Sequence, residues 1–98
     1  MITRIVKLHI EPSKADEFIA IFENSKEKIR GFEGCCGLKL LRLKNEDKNL
    51  FFTYSHWESE SNLDKYRHSE LFLTTWAATK LLFDGKPEAW TVDELYQL

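Results

Sequence analysis

A stripe of aromatic and polar side chains lies in the second half of the sequence. Its members are His68, Phe72, Trp76, Thr79 and Phe83. Separations of 4, 4, 3 and 4 residues place them on one face of a helix. The imidazole of His68 is the side chain best suited to proton transfer near neutral pH. The stripe predicts the aromatic wall of a ligand cavity with His68 at its mouth; the alternative is an apolar helix face packed on a sheet.

Other side chains carry groups that could take part in chemistry. The hydroxyl of Tyr66 can hydrogen-bond a substrate oxygen, although a core tyrosine would have the same sequence signature. Tyr54 and His56 share one face of a strand pattern, which faces either the cavity or a subunit interface. Cys35 and Cys36 are neighbours and cannot form a disulfide that staples a fold, so we interpret them as reduced packing residues.

Length and composition limit the class of protein. The 98 residues form a single domain, 1–98, with 43% hydrophobic and 31% charged residues. A net charge of -2 argues against a nucleic-acid surface. No apolar run approaches the roughly 18 residues that a membrane span needs, and no signal-peptide pattern opens the chain. We therefore expect a cytoplasmic protein. The sequence carries no metal-ligand spacing or phosphate loop, and we expect no metal and no cofactor.

Hydrophobic periodicity divides the chain into elements that must position these groups. Alternation predicts strands at 2–10, 35–43, 50–57 and 88–96, with a polar turn at 45–49. Helical spacing predicts helices at 13–30 and 58–83. We expect Ser13 to cap the first helix, and Ser69 to restart the second after a kink at 67–69.

The element order indicates a fold class. The order β-α-β-β-α-β is typical of the α+β ferredoxin-like arrangement, with an antiparallel sheet and two helices on one of its faces. The other face would be open in a monomer, yet its predicted residues are not cleanly polar. A second copy of the chain is the simplest cover for that face, so we expect a twofold homodimer.

Two segments resemble the antibiotic-biosynthesis-monooxygenase family of the dimeric α+β barrel superfamily. They are GFEGCCGLKLL, which leads into the second strand, and YSHWESESNLDKYRHSELF, which runs from the third strand into the second helix. In that family a Trp ends the third strand, and a cap, an aromatic or His, and a Ser with a nearby apolar residue follow. The residues that fit this pattern are Trp57, Glu58, Ser59, Tyr66, Ser69 and Phe72.

The resemblance implies a cofactor-independent monooxygenase that acts on a small aromatic or quinol-like compound. Tyr66 and His68 would then bind or deprotonate the substrate. The residues that would surround it are Phe22, Tyr54, Phe72, Trp76 and Phe83. The alternative is a non-catalytic dimer of the same fold that binds a small apolar molecule, because fold does not decide function.

Two further functions are not expected. The heme-degrading branch of the family has an Asn, a Trp and a His where this chain has Val6, Tyr66 and Trp76, so we do not expect heme degradation. An RNA-binding domain with the same element order displays stacking aromatics on its third strand. Here the run at 50–54 lacks the glycine and basic residues of that motif.

Overall fold

The computed structural model of the protein describes residues 1–44 and 49–98. Within them the chain forms four strands and three α-helices. Their bounds are β1 (Ile2–His9), α1 (Ala15–Arg30), β2 (Cys35–Arg42), β3 (Leu50–Trp57), α2 (Glu60–Arg67), α3 (Glu70–Lys80) and β4 (Glu88–Asp93). Residues 45–48 of the predicted turn at 45–49 lie outside the described residues.

The strands form one antiparallel sheet in the order β2-β3-β1-β4. This order, with helices on one face, confirms the predicted ferredoxin-like fold class. Residues directly opposite each other share a face, and Val6 pairs with Thr53 while Ile5 pairs with Tyr54. Arg4, Val6 and Leu8 are buried. The face of β1 that carries them is therefore the one that the helices cover.

The first helix begins at Ala15, two residues later than predicted. Pro12–Lys14 instead forms a short 3-10 turn, in which the Lys14 amide donates to the Glu11 carbonyl oxygen at 2.8 Å. The Ser13 hydroxyl donates to the Glu11 carboxylate and caps no helix. Asp16 and Glu17 occupy the first turn of α1 and favour its positive dipole end.

The predicted second helix is divided into α2 and α3 at His68 and Ser69. Ser69 has an extended backbone, and its hydroxyl oxygen accepts from the Phe72 amide at 3.1 Å. The expected restart at Ser69 is thus confirmed. Across the division, Tyr66 and Phe72 meet edge to face with ring centroids 5.3 Å apart.

The last strand ends at Asp93, three residues before its predicted end. Asp93 pairs with Ile2, the first residue of β1, and the next amide, that of Glu94, donates to the Met1 carbonyl oxygen at 3.3 Å. β4 thus ends where the strand that it pairs with begins. All six residues of β4 are exposed, including Trp90 at 44% and Val92 at 40%. None of the helices within the described residues has the length and apolar character that a membrane span requires.

The buried residues form two clusters between the sheet and the helices. The first consists of Val6, Leu8, Ile10, Ala15, Phe18, Phe51 and Leu82. The second consists of Ile29, Cys35, Trp57, Leu63 and Tyr66. Phe72 packs against the second cluster and Trp76 against the first, so the α3 aromatics join the two.

Candidate functional site

A cavity of about 80 Å³ lies between the two core clusters. The sheet side of its wall consists of Arg4, Val6, Leu8, Leu38, Thr53 and Ser55. The α1 side consists of Phe18, Ile21, Phe22, Ser25 and Ile29. The remaining wall consists of Tyr66, Phe72, Thr75, Trp76 and Thr79. The lining is mostly apolar, with hydroxyl groups and one guanidinium placed among the hydrocarbon side chains, which is a common composition for small-molecule sites.

A chain of aromatic rings supports the helical wall. Trp57 stacks on Tyr66 with centroids 5.0 Å apart, and Phe72 stacks on Trp76 at 6.0 Å with the ring planes 7° apart. Trp57 is fully buried, so one end of the chain of rings is anchored in the core. The parallel Phe72 and Trp76 rings can contact a planar aromatic ligand, because aromatic rings pack favourably edge to face or in offset stacks.

Tyr66 presents a protonated phenol to this cavity. Burial of the side chain raises its pKa to about 12, and the nearby positive charge of Arg4 opposes only part of that rise. At neutral pH the hydroxyl is therefore a hydrogen-bond donor and not a base. A hydroxyl donor on a residue of the wall of an apolar cavity can stabilise an oxygen atom that carries negative charge.

Arg4 is the charged side chain of the lining. It is only 8% exposed, and its guanidinium carbon lies 6.0 Å from the centroid of the Phe72 ring. Burial lowers its pKa, the charge of Arg67 lowers it further, and Tyr66 acts in the opposite direction. Arg4 remains positively charged at neutral pH because even a depressed arginine pKa stays far above 7.

Two lining hydroxyls are held by the backbone of their own helices. The Ser25 hydroxyl donates to the Ile21 carbonyl oxygen at 2.9 Å, and the Thr79 hydroxyl donates to the Thr75 carbonyl oxygen at 2.8 Å. Their protons are committed to these carbonyl oxygens, so each hydroxyl retains only acceptor capacity. Among the described residues of the lining there is no carboxylate and no imidazole.

Four of the predicted site residues line the cavity. They are Phe22, Tyr66, Phe72 and Trp76. Their side chains meet because α1 and the α2–α3 pair cover the same face of the sheet.

Three predicted site residues lie outside the lining. His68 is exposed at the end of α2, where its Nδ1 lies 2.7 Å from the Asp64 carbonyl oxygen. Tyr54 pairs with Ile5 and lies on the sheet face opposite the helices. Phe83 follows α3 and reaches the cavity only through Trp76, with ring centroids 5.5 Å apart.

Sequence reasoning missed Arg4 as a site residue. The signal was present, because Arg4 is the one charged residue on the face shared by Ile2, Val6, Leu8 and Ile10. A charge in the middle of an apolar strand face has to be explained by a partner or by a function.

The sequence model of the family described as antibiotic biosynthesis monooxygenase matches residues 1–78. The chain belongs to the antibiotic biosynthesis monooxygenase family. The matched segment carries the described lining residues of the cavity except Thr79. The predicted resemblance is therefore confirmed over most of the chain.

Solved structures of other proteins share this fold. Rv0793 from Mycobacterium tuberculosis is 18% identical, with a TM-score of 0.86 over 98% of this chain and 96% of that chain. A conserved protein from Methanosarcina mazei Go1 is 22% identical, with a TM-score of 0.84 over 94% of this chain and 91% of the other. A variant of SnoaB, a cofactor-independent oxygenase from Streptomyces nogalater, is 18% identical, with a TM-score of 0.87 over 99% and 95%. A comparison with curated proteins gave no match.

At these identities the likeness shows the fold alone, which is the arrangement of the sheet and the helices. It does not extend to the side chains that line the cavity. The reaction has to be argued from those side chains.

Proposed function

We propose that the protein is a cofactor-independent monooxygenase for a small aromatic or quinol-like compound that binds in the cavity between the sheet and the helices. The observation that carries the proposal is the protonated Tyr66 phenol in an apolar aromatic cavity. Membership of the antibiotic biosynthesis monooxygenase family and the likeness to the oxygenase SnoaB support it.

The proposed chemistry uses molecular oxygen as the oxidant. An electron-rich aromatic loses a proton, and the resulting anion transfers electrons to O₂ while a carbon–oxygen bond forms. For a ring methylene the CH₂ group becomes C=O. The second oxygen atom leaves as water with the two hydrogens of that carbon. For a one-ring hydroquinone, one ring C–H becomes C–OH while the two hydroxyls are oxidised to the quinone, and the second oxygen atom again leaves as water with the two hydrogens lost. A largely dry cavity favours the step because it keeps bulk water away from the charged intermediate.

In this proposal Tyr66 donates its O–H to the substrate oxygen on which the negative charge develops. Removal of one such donor costs about 10²- to 10³-fold in rate in well-studied sites. His68 has no assigned step, because its side chain is exposed and its ring nitrogen is engaged with the Asp64 carbonyl oxygen. The aromatic pair Phe72 and Trp76 would hold the ring of the substrate.

The size of the cavity favours a small ligand. A cavity of about 150 Å³ in another protein holds one benzene ring. At about 80 Å³ the cavity of this protein is smaller, so even a single ring requires side chains of the wall to shift. One-ring hydroquinones are therefore the first substrates to test, ahead of fused-ring anthrones.

Oxygen uptake without added cofactor tests the proposal. The panel is a set of substituted hydroquinones and an anthrone, with wild type beside Tyr66→Phe. Tyr96→Phe is the matched control, since that phenol is 89% exposed and distant in sequence from the lining. We expect uptake above the spontaneous rate that falls about 100-fold in Tyr66→Phe and is unchanged in Tyr96→Phe. A rate equal in wild type and Tyr66→Phe would contradict the role of Tyr66. His68→Ala in the same assay measures any contribution of the exposed imidazole.

A homodimer through the open face of the sheet is part of the proposal. That face carries Ile5, Phe52 and Tyr54, and β4 adds the exposed Trp90 and Val92, which pair with β1 on this side. Apolar residues on a sheet face without helices are typical of a covered surface. Sedimentation should give a dimer for wild type and a monomer for Trp90→Glu, while Leu81→Glu, at a 76% exposed position beyond α3, stays dimeric. A monomeric wild type at micromolar concentration would refute the dimer.

A non-catalytic binding dimer is the second candidate. The absence of carboxylates and imidazoles from the described lining favours it, because no side chain there can take a proton at neutral pH. Saturable binding of the panel compounds without oxygen uptake would support this function and exclude turnover of those compounds.

A further inference from the structure

Within the described part of the chain, Arg4 lacks the acidic partner that a buried arginine usually has. Arginine is almost never fully buried unless it is paired with an acid. Arg4 is 8% exposed, yet among residues 1–44 and 49–98 no carboxylate lies within 4.0 Å of it and no side-chain hydrogen bond engages it. Its recorded contact is the face of Phe72, a weak partner for a full charge.

The surrounding charges do not compensate for this burial. Arg67, the charged residue that acts on it most strongly, has the same sign. Among the described residues, Trp57 Nε1 is the only side-chain nitrogen or oxygen that is fully buried without a hydrogen-bond partner, so the guanidinium nitrogens of Arg4 keep some contact with solvent. An unpaired charge in a mostly apolar cavity wall is still poorly explained by a structural role. A negative ligand in the cavity would supply the missing partner.

We propose that Arg4 is an anion-binding residue, and that the ligand of the cavity is a small aromatic compound that enters as an oxyanion, carried by a carboxylate or an acidic phenol. This inference rests on the proposed function, since it assigns the substrate class of the same cavity. Arg4 and the Tyr66 hydroxyl would both donate to the oxyanion, while Phe72 and Trp76 contact the ring.

The same inference removes a difficulty of the proposed reaction. The described lining holds no base, so the substrate has to bring its negative charge or acquire it through its own acidity. A cation beside a bound phenol lowers the pKa of that phenol, because it favours the charged form. Because Arg4 favours binding of the ligand as its anion, the reaction needs no general base in the cavity lining.

Binding of paired probes tests the inference without requiring turnover. 4-Nitrophenol changes absorbance when it ionises, and 4-nitroanisole is its neutral counterpart. Benzoate and benzamide form the second pair. We expect the wild type to bind each anion at least about tenfold more tightly than its neutral partner, and to lower the pKa of bound 4-nitrophenol by about one unit. A preference for the anion in only one pair identifies the carboxylate or the phenolate as the group recognised.

Three variants separate anion binding from a general effect of charge. In Arg4→Met we expect the preference for the anion to vanish while affinity for the neutral probes is kept; Arg4→Lys retains part of it. The matched control is Arg42→Met, since the Arg42 guanidinium also lies over a phenylalanine ring, 5.0 Å from Phe51, but is exposed on β2. It should behave as wild type. A thermal unfolding scan of each variant checks that the fold is retained.

The outcomes distinguish this inference from the proposed function. An anion preference that survives in Arg4→Met, or is missing in the wild type, would overturn the role of Arg4 even if oxygen uptake is observed. An Arg4-dependent preference without oxygen uptake on any hydroquinone would support the anion site and count against the monooxygenase.

Discussion

Alkaline pH should destabilise the wild-type protein more than it destabilises Tyr66→Phe. The pKa of Tyr66 is about 12 in the folded protein, against an ordinary value near 10 in the unfolded chain. On raising the pH, the unfolded state therefore loses its phenolic proton first. The stability that belongs to the neutral phenol is fully present below pH 10 and is lost as the pH rises towards 12.

The size of the effect follows from the two pKa values. One unit of pKa corresponds to about 1.4 kcal/mol, so the full loss above both values is about 2.7 kcal/mol. At pH 11 the unfolded phenol is about ten parts ionised to one part neutral, while the folded phenol is still mostly neutral. Between pH 8 and pH 11 we thus expect the stability of wild type relative to Tyr66→Phe to fall by about 1.4 kcal/mol.

Urea unfolding at pH 8, 9, 10 and 11 measures this difference. Subtraction of the variant cancels the titration of the groups that the two proteins share. Tyr96→Phe serves as the control, because a phenol that is 89% exposed is in water in both the folded and the unfolded state. The difference in stability between wild type and Tyr96→Phe should therefore be the same at every pH. A difference between wild type and Tyr66→Phe that does not change with pH would refute the burial of an un-ionised phenol in the cavity wall. It would also remove Tyr66 as the proposed donor.

Substitutions at Gly34, Ser69 and Trp57 test local features by the same unfolding assay. Gly34 has a φ of +85° and a Cβ there would overlap the Asn62 side chain, so Gly34→Ala should cost more than about 1 kcal/mol. Gly31→Ala should cost less, because its φ is negative and the closest contact of the new Cβ would be the Glu27 carbonyl oxygen at 3.2 Å. Ser69→Ala removes the cap of α3 and should cost about 1 kcal/mol; no loss would mean that the break does not depend on the hydroxyl. Trp57→Ala should cost about 3–5 kcal/mol, and Trp57→Phe much less, because the Trp57 indole N–H is buried without an acceptor among the described residues. Equal losses in the two Trp57 variants would contradict this.

Much of the fold could be predicted because the hydrophobic periodicity and the residues that begin or end helices and strands indicate the same elements. The alternation in β1 placed Arg4, Val6 and Leu8 on one face, and that face is the buried one. The restart at Ser69 could be predicted from the serine itself, because helix capping is a local interaction. The end of β4 could not be predicted locally, since it depends on where the paired strand begins.

The site could be predicted only in part, because the sequence does not give the direction of a helix after a break. The stripe from His68 to Phe83 assumes one continuous helix. The structure places Phe72 and Trp76 on the cavity, while His68 falls in the break and Phe83 beyond the end of α3. The sequence did not decide whether Tyr54 faces the cavity or a subunit interface. The pairing of Tyr54 with Ile5 places it on the sheet face opposite the helices. Arg4 was overlooked because a single polar residue does not disturb a hydrophobic pattern.

The position of the cavity between two separate hydrophobic clusters has a consequence for the life of the protein in the cell. A ligand there would contact both clusters and fill space in the protein interior. At a concentration one hundred times its Kd it would add about 2.7 kcal/mol to the free energy of unfolding. For a domain of 98 residues, that corresponds to a rise in Tm of about 10–20 °C. Since proteases act on the unfolded fraction, cellular abundance of the protein would follow the supply of its own ligand.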